Sequence, residues 1–213
     1  MSLLHDLPPR IAANLLTGVI AKGPAGGVYL TFDDGPDPRT TPDFLDCLAQ
    51  FGCQATFFLT GSKVSANVDV VRSIAKAGHT IGSHGFNHVS LLRANCNRLK
   101  IEVVASLDAI ESAIGIRPIL FRPPYGRIGT TGCSVTRQLG LTTVLWSLSG
   151  ADWKVESAEH LASAILTKVG DGDIILLHDS GKNAEVTLRA LPAIIDGIRS
   201  KGFTIAPLTG NLL

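Results

Sequence analysis

Short apolar runs alternate with stretches of helical periodicity from residue 28 almost to the end of the chain. Hydrophobic side chains fill most positions of each run, which is typical of strands buried on both faces by parallel neighbours and covering helices. The pattern predicts seven strands, at residues 28–32, 55–59, 79–82, 119–121, 142–147, 173–177 and 203–206. The predicted fold class is therefore α/β.

The stretches between the runs repeat their apolar positions every three or four residues, as amphipathic helices do. They predict helices at residues 42–51, 68–77, 95–114, 131–139, 158–169 and 186–200. Pro42 suits the first turn of its helix, with Thr40 or Thr41 as the cap. Strands that alternate with helices favour a closed or nearly closed barrel, and an open doubly wound sheet is the alternative.

Length and composition limit the classes of protein. At 213 residues, the chain is most simply one domain with a core from about 27 to 208. Hydrophobic residues make up 45% and charged residues 17%, which is typical of a globular protein. The net charge of +1 and the lack of a Lys/Arg-rich block give no reason to expect a nucleic-acid partner, and oligomeric state is left open. The four cysteines form no CxxC pair, which excludes a zinc ribbon and argues against a disulfide framework.

The N-terminal segment bears on location. No apolar run reaches the roughly 18–20 residues of a membrane span. Residues 11–21 lean apolar and end in Val-Ile-Ala, which a signal peptidase would tolerate, but Asn14, Thr17 and Gly18 dilute the segment. We expect a short helix packed on the domain, an uncleaved segment 1–21, and a cytoplasmic rather than secreted protein, with which unpaired cysteines agree.

Two adjacent carboxylates, Asp33 and Asp34, end the first predicted strand, and Gly35-Pro36 follows. Burying an unpaired carboxylate costs several kcal/mol or more unless a cation neutralises it. Consecutive side chains of an extended segment point in opposite directions, so one aspartate can bind a metal while the other accepts a proton. A simple Asp-Gly turn would explain only one of the two.

His84 and His88 follow the third predicted strand. A spacing of four places both imidazoles on one face if the segment turns helically, which suits a metal ion, although solvated or core histidines are commoner than ligands. Together with Asp34 they form the two-histidine, one-carboxylate set of catalytic zinc sites. The same donors suit cobalt or nickel.

Three further segments follow strands and carry candidate chemistry. Arg122 can clamp a carboxylate, and the Tyr125 backbone N–H can point inward from a loop stiffened by two prolines. His178 ends the most apolar strand, a usual place for a general acid or base, and Asp152-Trp153 follows the strand before it. The alternatives are a rigid surface loop, a structural histidine, and a helix-capping carboxylate beside a core tryptophan.

In chain order these segments read TFDDGP, SHxxxH, RPPY, DW and LLH. Together they resemble the NodB-type polysaccharide deacetylases, carbohydrate esterase family 4, over residues 29–208. The resemblance implies a distorted (β/α) barrel of seven or eight parallel strands. It also implies metal-dependent removal of N-acetyl groups from N-acetylglucosamine-type glycans, such as chitooligosaccharide or peptidoglycan. An acetylated glycan is then the expected partner.

The resemblance also implies a role for each matching residue. Asp34, His84 and His88 would hold one divalent ion, zinc by preference, with cobalt or nickel as alternatives. Asp33 would be the base that deprotonates the attacking water, and Arg122 would orient that base. The remaining matches are the Tyr125 N–H as oxyanion donor, His178 as general acid oriented by Asp152, and Trp153, Leu176 and Pro123 as substrate contacts.

The chain departs from the family pattern at two positions. Ser149 stands where the fourth motif commonly has aspartate, and Gly85 stands where serine or threonine is usual. Two other functions remain as alternatives: a sugar-binding pseudoenzyme, and a hydrolase of a non-sugar amide such as a cyclic ureide. The complete residue set argues against the first, and the intact ligands argue against the second.

Overall fold

The strands form one sheet in a computed structural model that describes residue 13 and residues 16–209. Within that part of the chain the strands are β1 Val19–Ile20, β2 Gly27–Asp33, β3 Thr56–Leu59, β4 Thr80–Ser83, β5 Leu120–Phe121, β6 Thr142–Val144, β7 Leu148–Ser149, β8 Ile174–His178 and β9 Thr204–Ile205. Every pair of neighbouring strands is parallel.

Helices connect the strands, as parallel neighbours require. They are α1 Thr41–Gln50, α2 Gly61–Val64, α3 Val68–Lys76, α4 Cys96–Ile114, α5 Thr130–Gln138, α6 Ala158–Leu166 and α7 Ala184–Ser200, and a 3₁₀ turn spans Pro124–Gly126. Most elements lie within three residues of their predicted bounds, although α2 was not predicted. None of the described helices is long and apolar enough to cross a membrane.

The sheet runs in the order β1-β6-β5-β4-β3-β2-β8-β7, and β9 pairs with the start of β2. Strands β2 to β6 lie side by side in sequence order, which is the order of a barrel and not that of a doubly wound sheet. The described strands β1 and β7 form the two ends of this path, so the barrel is open between them. The predicted distorted barrel of parallel strands is confirmed.

Alternation along the strands decides which residues enter the barrel. On β2, Val28, Leu30 and Phe32 pack under the helices in the large core cluster. Tyr29 lies in a smaller cluster with residues from β3, β5, β6 and β8, inside the barrel. Because side chains point to opposite faces in turn, Thr31 and Asp33 share the inner side with Tyr29.

Two predictions about secondary structure were wrong. Val19–Ile20 is a strand and not part of a helix, because the Leu145 N–H donates to the Ile20 carbonyl at 2.7 Å and β6 gains a partner. Residues 11, 12, 14 and 15 of the predicted N-terminal helix, residues 11–21, lie outside the described part of the chain.

The predicted strand 142–147 ends early, at Val144. The Arg122 side chain donates to the carbonyls of Val144, at 3.2 Å, and Leu145, at 3.1 Å. These bonds occupy carbonyl oxygens that a continuing strand would offer to a neighbour. The chain forms β7 only from Leu148 onward.

Candidate active site

Two predicted site residues lie at the carboxyl ends of neighbouring strands. Asp33 ends β2 and His178 ends β8, and the two residues are paired in the parallel ladder. Leu176 lies two residues before His178 and therefore on the same face. In a (β/α) barrel this end of the sheet is where catalytic groups gather.

Asp34 turns away from Asp33 because its backbone is left-handed, with φ of 73°. Its Oδ1 lies 3.4 Å from His84 Nε2 and 3.0 Å from His88 Nε2. His88 is also left-handed, with φ of 53°, so residues 84–88 form a loop and not the helical turn considered from the sequence. The two imidazoles nevertheless converge, with ring centroids 5.0 Å apart.

A hydrogen bond at Nδ1 shows which ring nitrogen of His84 carries the proton in the neutral imidazole. Nδ1 lies 2.7 Å from the Arg122 carbonyl oxygen, which can only accept a hydrogen bond, so Nδ1 carries the proton. In the neutral ring, Nε2 then presents a lone pair to Asp34 Oδ1, which is itself an acceptor. That oxygen is a buried polar atom without a hydrogen-bond partner in the described part of the chain.

The charge of Asp34 is also set by the histidines. Burial alone would raise the pKa of Asp34, but interactions with His84 and His88 hold it well below its usual range. Asp34 is thus an anion at neutral pH. The three side chains offer one ligand atom each, all within 4.8 Å of one another, and form a possible metal site.

Asp33 has a different environment from its neighbour. Its Oδ1 accepts a hydrogen bond of 2.7 Å from Arg122, and the same nitrogen donates to Thr31 Oγ1 at 2.7 Å. The Arg122 side chain is fully buried, with its guanidinium carbon 4.1 Å from the centre of the Phe58 ring. Only one guanidinium nitrogen reaches Asp33, so the clamp considered from the sequence is a single bond within a fixed network.

His178 and Asp152 form a hydrogen-bonded pair on the opposite side. Nδ1 of His178 lies 2.9 Å from Asp152 Oδ1, and the His178 backbone N–H donates to Oδ2 at 2.7 Å. Burial alone would lower the pKa of His178, but this bond and the charges of Asp152, Asp33 and Asp34 raise it to about 9. The ring meets Trp153 edge-on, with centroids 5.4 Å apart.

A cavity of about 560 Å³ joins the two sides. Its walls include nine of the residues predicted for the site: Asp33, Asp34, His84, His88, Tyr125, Asp152, Trp153, Leu176 and His178. Arg122 lies behind Asp33, and Pro123 is buried in its loop, where its carbonyl accepts a hydrogen bond from Gly126. Neither is among the described residues that line the cavity.

The loop after β5 takes an unusual backbone path. Tyr125 is left-handed, with φ of 61°, and its exposed ring packs edge-on against His88 at a centroid distance of 4.7 Å. At Gly126 a Cβ would lie 2.5 Å from the Trp146 ring, so only glycine fits. The loop is therefore fixed beside the predicted metal ligands.

The position that departs from the fourth motif has a local role. Ser149 Oγ accepts a hydrogen bond from the Ala151 N–H at 3.0 Å. This bond supports the left-handed backbone of Ala151, with φ of 53°, directly before Asp152. A serine at this position thus maintains the turn that delivers Asp152 to His178.

Sequence reasoning missed several supporting residues. Thr187, on α7, donates to Asp152 Oδ2 at 3.0 Å, and Trp146 lines the cavity. A threonine within a helical pattern carries no signal of such a contact. The Thr31 hydroxyl, by contrast, lies two residues before Asp33 on a predicted strand, so alternation alone places it on the same face.

Comparisons with known proteins show which family the chain resembles. The family described as "Polysaccharide deacetylase" matches residues 21–144. The chain is 35% identical over 178 residues to a peptidoglycan-N-acetylglucosamine deacetylase of Bacillus cereus, covering 83% of each protein. It is 34% identical over 193 residues to a chitooligosaccharide deacetylase of Bradyrhizobium, covering 85% of this chain and 88% of the relative.

A solved structure has a similar fold. The chain is similar to the peptidoglycan N-acetylglucosamine deacetylase Bc1960, crystallised with 4-naphthalen-1-yl-N-oxidanyl-benzamide, at a TM-score of 0.87 and 32% identity. The match covers 90% of this chain and 91% of that one. The chain therefore belongs to the polysaccharide deacetylase family, NodB type, and is a deacetylase enzyme. Enzymes of this family are in general metal-dependent, and the Asp34, His84 and His88 cluster is a possible metal site.

Proposed function

We propose that residues from about 27 to 208 act as one catalytic domain, a metal-dependent hydrolase that removes N-acetyl groups from N-acetylglucosamine-type poly- or oligosaccharides. One divalent ion would be held by Asp34, His84 and His88. The observation that carries the proposal is the approach of a histidine lone pair to a buried carboxylate oxygen, 3.4 Å from His84 Nε2 to Asp34 Oδ1. Two acceptors at that distance repel each other unless a cation lies between them.

The donor set favours zinc. Two imidazoles and one carboxylate are the ligands of catalytic zinc sites that keep a coordination position open, and cobalt or nickel would fit the same donors. When bound, the ion would polarise the acetyl carbonyl and lower the pKa of a coordinated water to about 7. Burial of His84 and its bond to the Arg122 carbonyl fix the ring for this task.

Asp33 would act as the general base. Arg122 holds its Oδ1, and its Oδ2 lies 3.8 Å from His84 Nε2, on the side of the predicted ligands. A carboxylate fixed by one oxygen can take a proton from the attacking water with the other. The buried Arg122 guanidinium holds the carboxylate in place.

His178 would act as the general acid. Its Nδ1 is bound to Asp152, so Nε2 is the nitrogen that faces the reacting groups, 4.0 Å from Asp34 Oδ2. A pKa raised to about 9 keeps the ring protonated at neutral pH, ready to protonate the leaving amine.

The remaining predicted residues would bind the substrate. The Tyr125 backbone N–H would stabilise the oxyanion. Trp153 and Leu176 would shape the acetyl pocket, and Pro123 would shape the surroundings of that pocket.

The relatives support a glycan substrate over the alternatives. Those named above deacetylate peptidoglycan N-acetylglucosamine or chitooligosaccharide, according to their names, and none of these names suggests a ureide. A pseudoenzyme would be expected to lack part of the base, acid and ligand set. This chain carries all of that set, and its base, acid and three ligands line one cavity.

A turnover assay tests the proposal. The protein is freed of metal by a chelator, and acetate release from chitooligosaccharides and peptidoglycan fragments is measured before and after zinc is added. We expect release from at least one substrate, its loss in the chelated protein, and its return with zinc. A cyclic ureide serves as the competing amide. Release that persists in the metal-free protein, or turnover of the ureide alone, would contradict the proposal.

We also propose that the protein keeps its N-terminal segment and acts in the cytoplasm on soluble sugars or glycan precursors. Cleavage after Ala21 would remove β1, which is paired with β6. It would also expose the surface that Val19 and Ala21 now bury. N-terminal sequencing of the native protein tests this, and a chain that begins at Lys22 would contradict it.

A further inference from the structure

Helix α4 holds the loop between the two histidines through a buried carboxylate. Glu102 accepts a hydrogen bond of 2.9 Å from the Asn87 backbone N–H at Oε2 and another of 2.9 Å from the Asn87 side-chain amide at Oε1. Both carboxylate oxygens are therefore engaged by one residue. Asn87 directly precedes His88 in the chain.

The rest of the loop is fixed by backbone contacts. The His84 N–H donates to the Leu59 carbonyl at 2.8 Å, which ties the first histidine to the sheet. The Gly85 and Phe86 carbonyls each accept a bond of 2.9 Å from the first residues of α2, Gly61 and Ser62. Residues 84–86 are thus anchored by the main chain, and the next anchor along the loop is Glu102.

The position of Glu102 is not explained by packing. The residue is buried on a face of α4 that is mostly apolar, where leucine or valine would suit the core. A buried carboxylate costs free energy unless its oxygens are hydrogen-bonded. Glu102 forms no salt bridge with the residues that the structure describes, and both of its bonds go to the loop.

His88 needs such support more than His84 does. Its backbone is left-handed, with φ of 53°, a conformation that is strained for a non-glycine residue. A residue in a strained conformation persists only when its surroundings over-determine it. The two bonds on Asn87 fix the peptide that leads into His88, and with it the direction of the imidazole.

We infer that Glu102 is a positioning residue for the metal site: it sets His88 for metal binding by clamping Asn87. This inference rests on the proposed metal site at Asp34, His84 and His88. Groups that orient a metal ligand typically contribute about 10–100-fold to metal affinity. Loss of the clamp should therefore weaken zinc binding about 10–100-fold while His84 and Asp34 still reach the ion.

Zinc affinity of the metal-free protein tests the inference, measured by competition with a chromophoric chelator. Glu102→Gln keeps the shape of the side chain but places an amide donor against one of the Asn87 donors, and Asn87→Ala removes the side-chain half of the clamp. We expect each to lower affinity, and the double variant to be no weaker than the weaker single variant, because both remove one unit. Glu111→Gln, an exposed acid on the same helix, is the matched control and should bind zinc like the wild type.

The outcomes separate the claims. Wild-type zinc affinity in Glu102→Gln, or losses that simply add in the double variant, would overturn the inference. A lower unfolding temperature of the metal-free variants with unchanged affinity would make Glu102 a structural residue only, and would overturn it as well. If Glu102→Gln does not fold, Asn87→Ala decides by the same criterion. If His84→Ala binds zinc as the wild type does, the proposed metal site fails, and that failure is distinct from the failure of the clamp.

Discussion

The carboxylates on the two sides of the cavity have different partners. On the acid side, Asp152 accepts hydrogen bonds at both oxygens, from the His178 ring and backbone and from Thr187. On the ligand side, Asp34 Oδ1 faces two imidazole nitrogens and is without a hydrogen-bond partner in the described part of the chain. Residues of the chain therefore supply hydrogen bonds to both oxygens of Asp152, whereas Asp34 has the surroundings of a cation ligand.

The backbone of the functional residues themselves also differs, although Ala151, directly before Asp152, is left-handed as well. His178 is the last residue of a regular strand, and its partner Asp152 accepts a hydrogen bond from Thr187 on helix α7. Asp34 and His88 both lie in left-handed conformations after their strands. Strain of this kind gathers at functional sites, where the surroundings hold it in place. The ligand side should consequently be the more sensitive to the loss of a single contact.

The largest effect is expected from removal of a ligand. His84→Ala should lose the bound metal and bring turnover to background, because the remaining imidazole and carboxylate make an incomplete site. Elemental analysis of the purified variant alongside wild type measures the metal content. His160→Ala, an exposed histidine on α6, is the control. Equal metal content in His84→Ala and wild type would refute the assignment.

Asp33→Asn should keep the metal and lose the base. The amide retains the shape of the carboxylate but cannot take a proton, so turnover should fall by about 10²–10⁴. Metal content and acetate release are measured on the same preparation, with Asp69→Asn, an exposed residue of α3, as control. If the metal disappears together with activity, the roles of the two aspartates are reversed.

His178→Ala should separate two kinds of substrate. An amine leaves only when protonated, so hydrolysis of the acetamide should fall by about 10²–10⁴. The leaving group of an activated acetyl ester departs without a proton, so hydrolysis of such esters should be unchanged. Rates on both substrates are compared at equal metal content. An equal loss on amide and activated ester would make His178 a structural or binding residue.

Thr187→Val should produce a smaller version of the same separation. The change removes one hydrogen bond to Asp152 but leaves both bonds between Asp152 and His178. A hydrogen bond to a charged group contributes about 1.5–3 kcal/mol. Because Thr187 acts on His178 only through Asp152, we expect a smaller effect on the reaction, a fall in amide hydrolysis of about tenfold. Thr187→Ser should restore the rate. A loss of ester hydrolysis of the same size would place Thr187 outside the acid network.

Much of this fold could be predicted because the apolar runs are local signals. The run at β2 and the stripe of Leu99, Val103 and Leu107 on α4 indicated the type of each element, and the structure agrees. The break at Val144 could not be predicted, because it depends on Arg122, which lies more than twenty residues earlier in the chain. The strand β1 was missed because two residues carry no periodicity, and β6 supplies the pairing.

The candidate site shows the same difference between local signals and tertiary contacts. Residues within one motif, such as the two aspartates or the two histidines, could be identified as candidates from spacing and type. Contacts made by a helix that packs over a motif could not, which is why Glu102 and Thr187 went unnoticed. Pro123 was predicted from its motif, but it is not among the described residues that line the cavity.

The most direct test is the position of the metal in a crystal of the zinc-loaded protein, found from anomalous scattering at the zinc edge. The account predicts one strong peak about 2.0–2.2 Å from an Asp34 carboxylate oxygen, His84 Nε2 and His88 Nε2, with Asp33 still bound to Arg122 and outside the coordination sphere. A peak coordinated by Asp33, or one that does not touch both histidines, would contradict it.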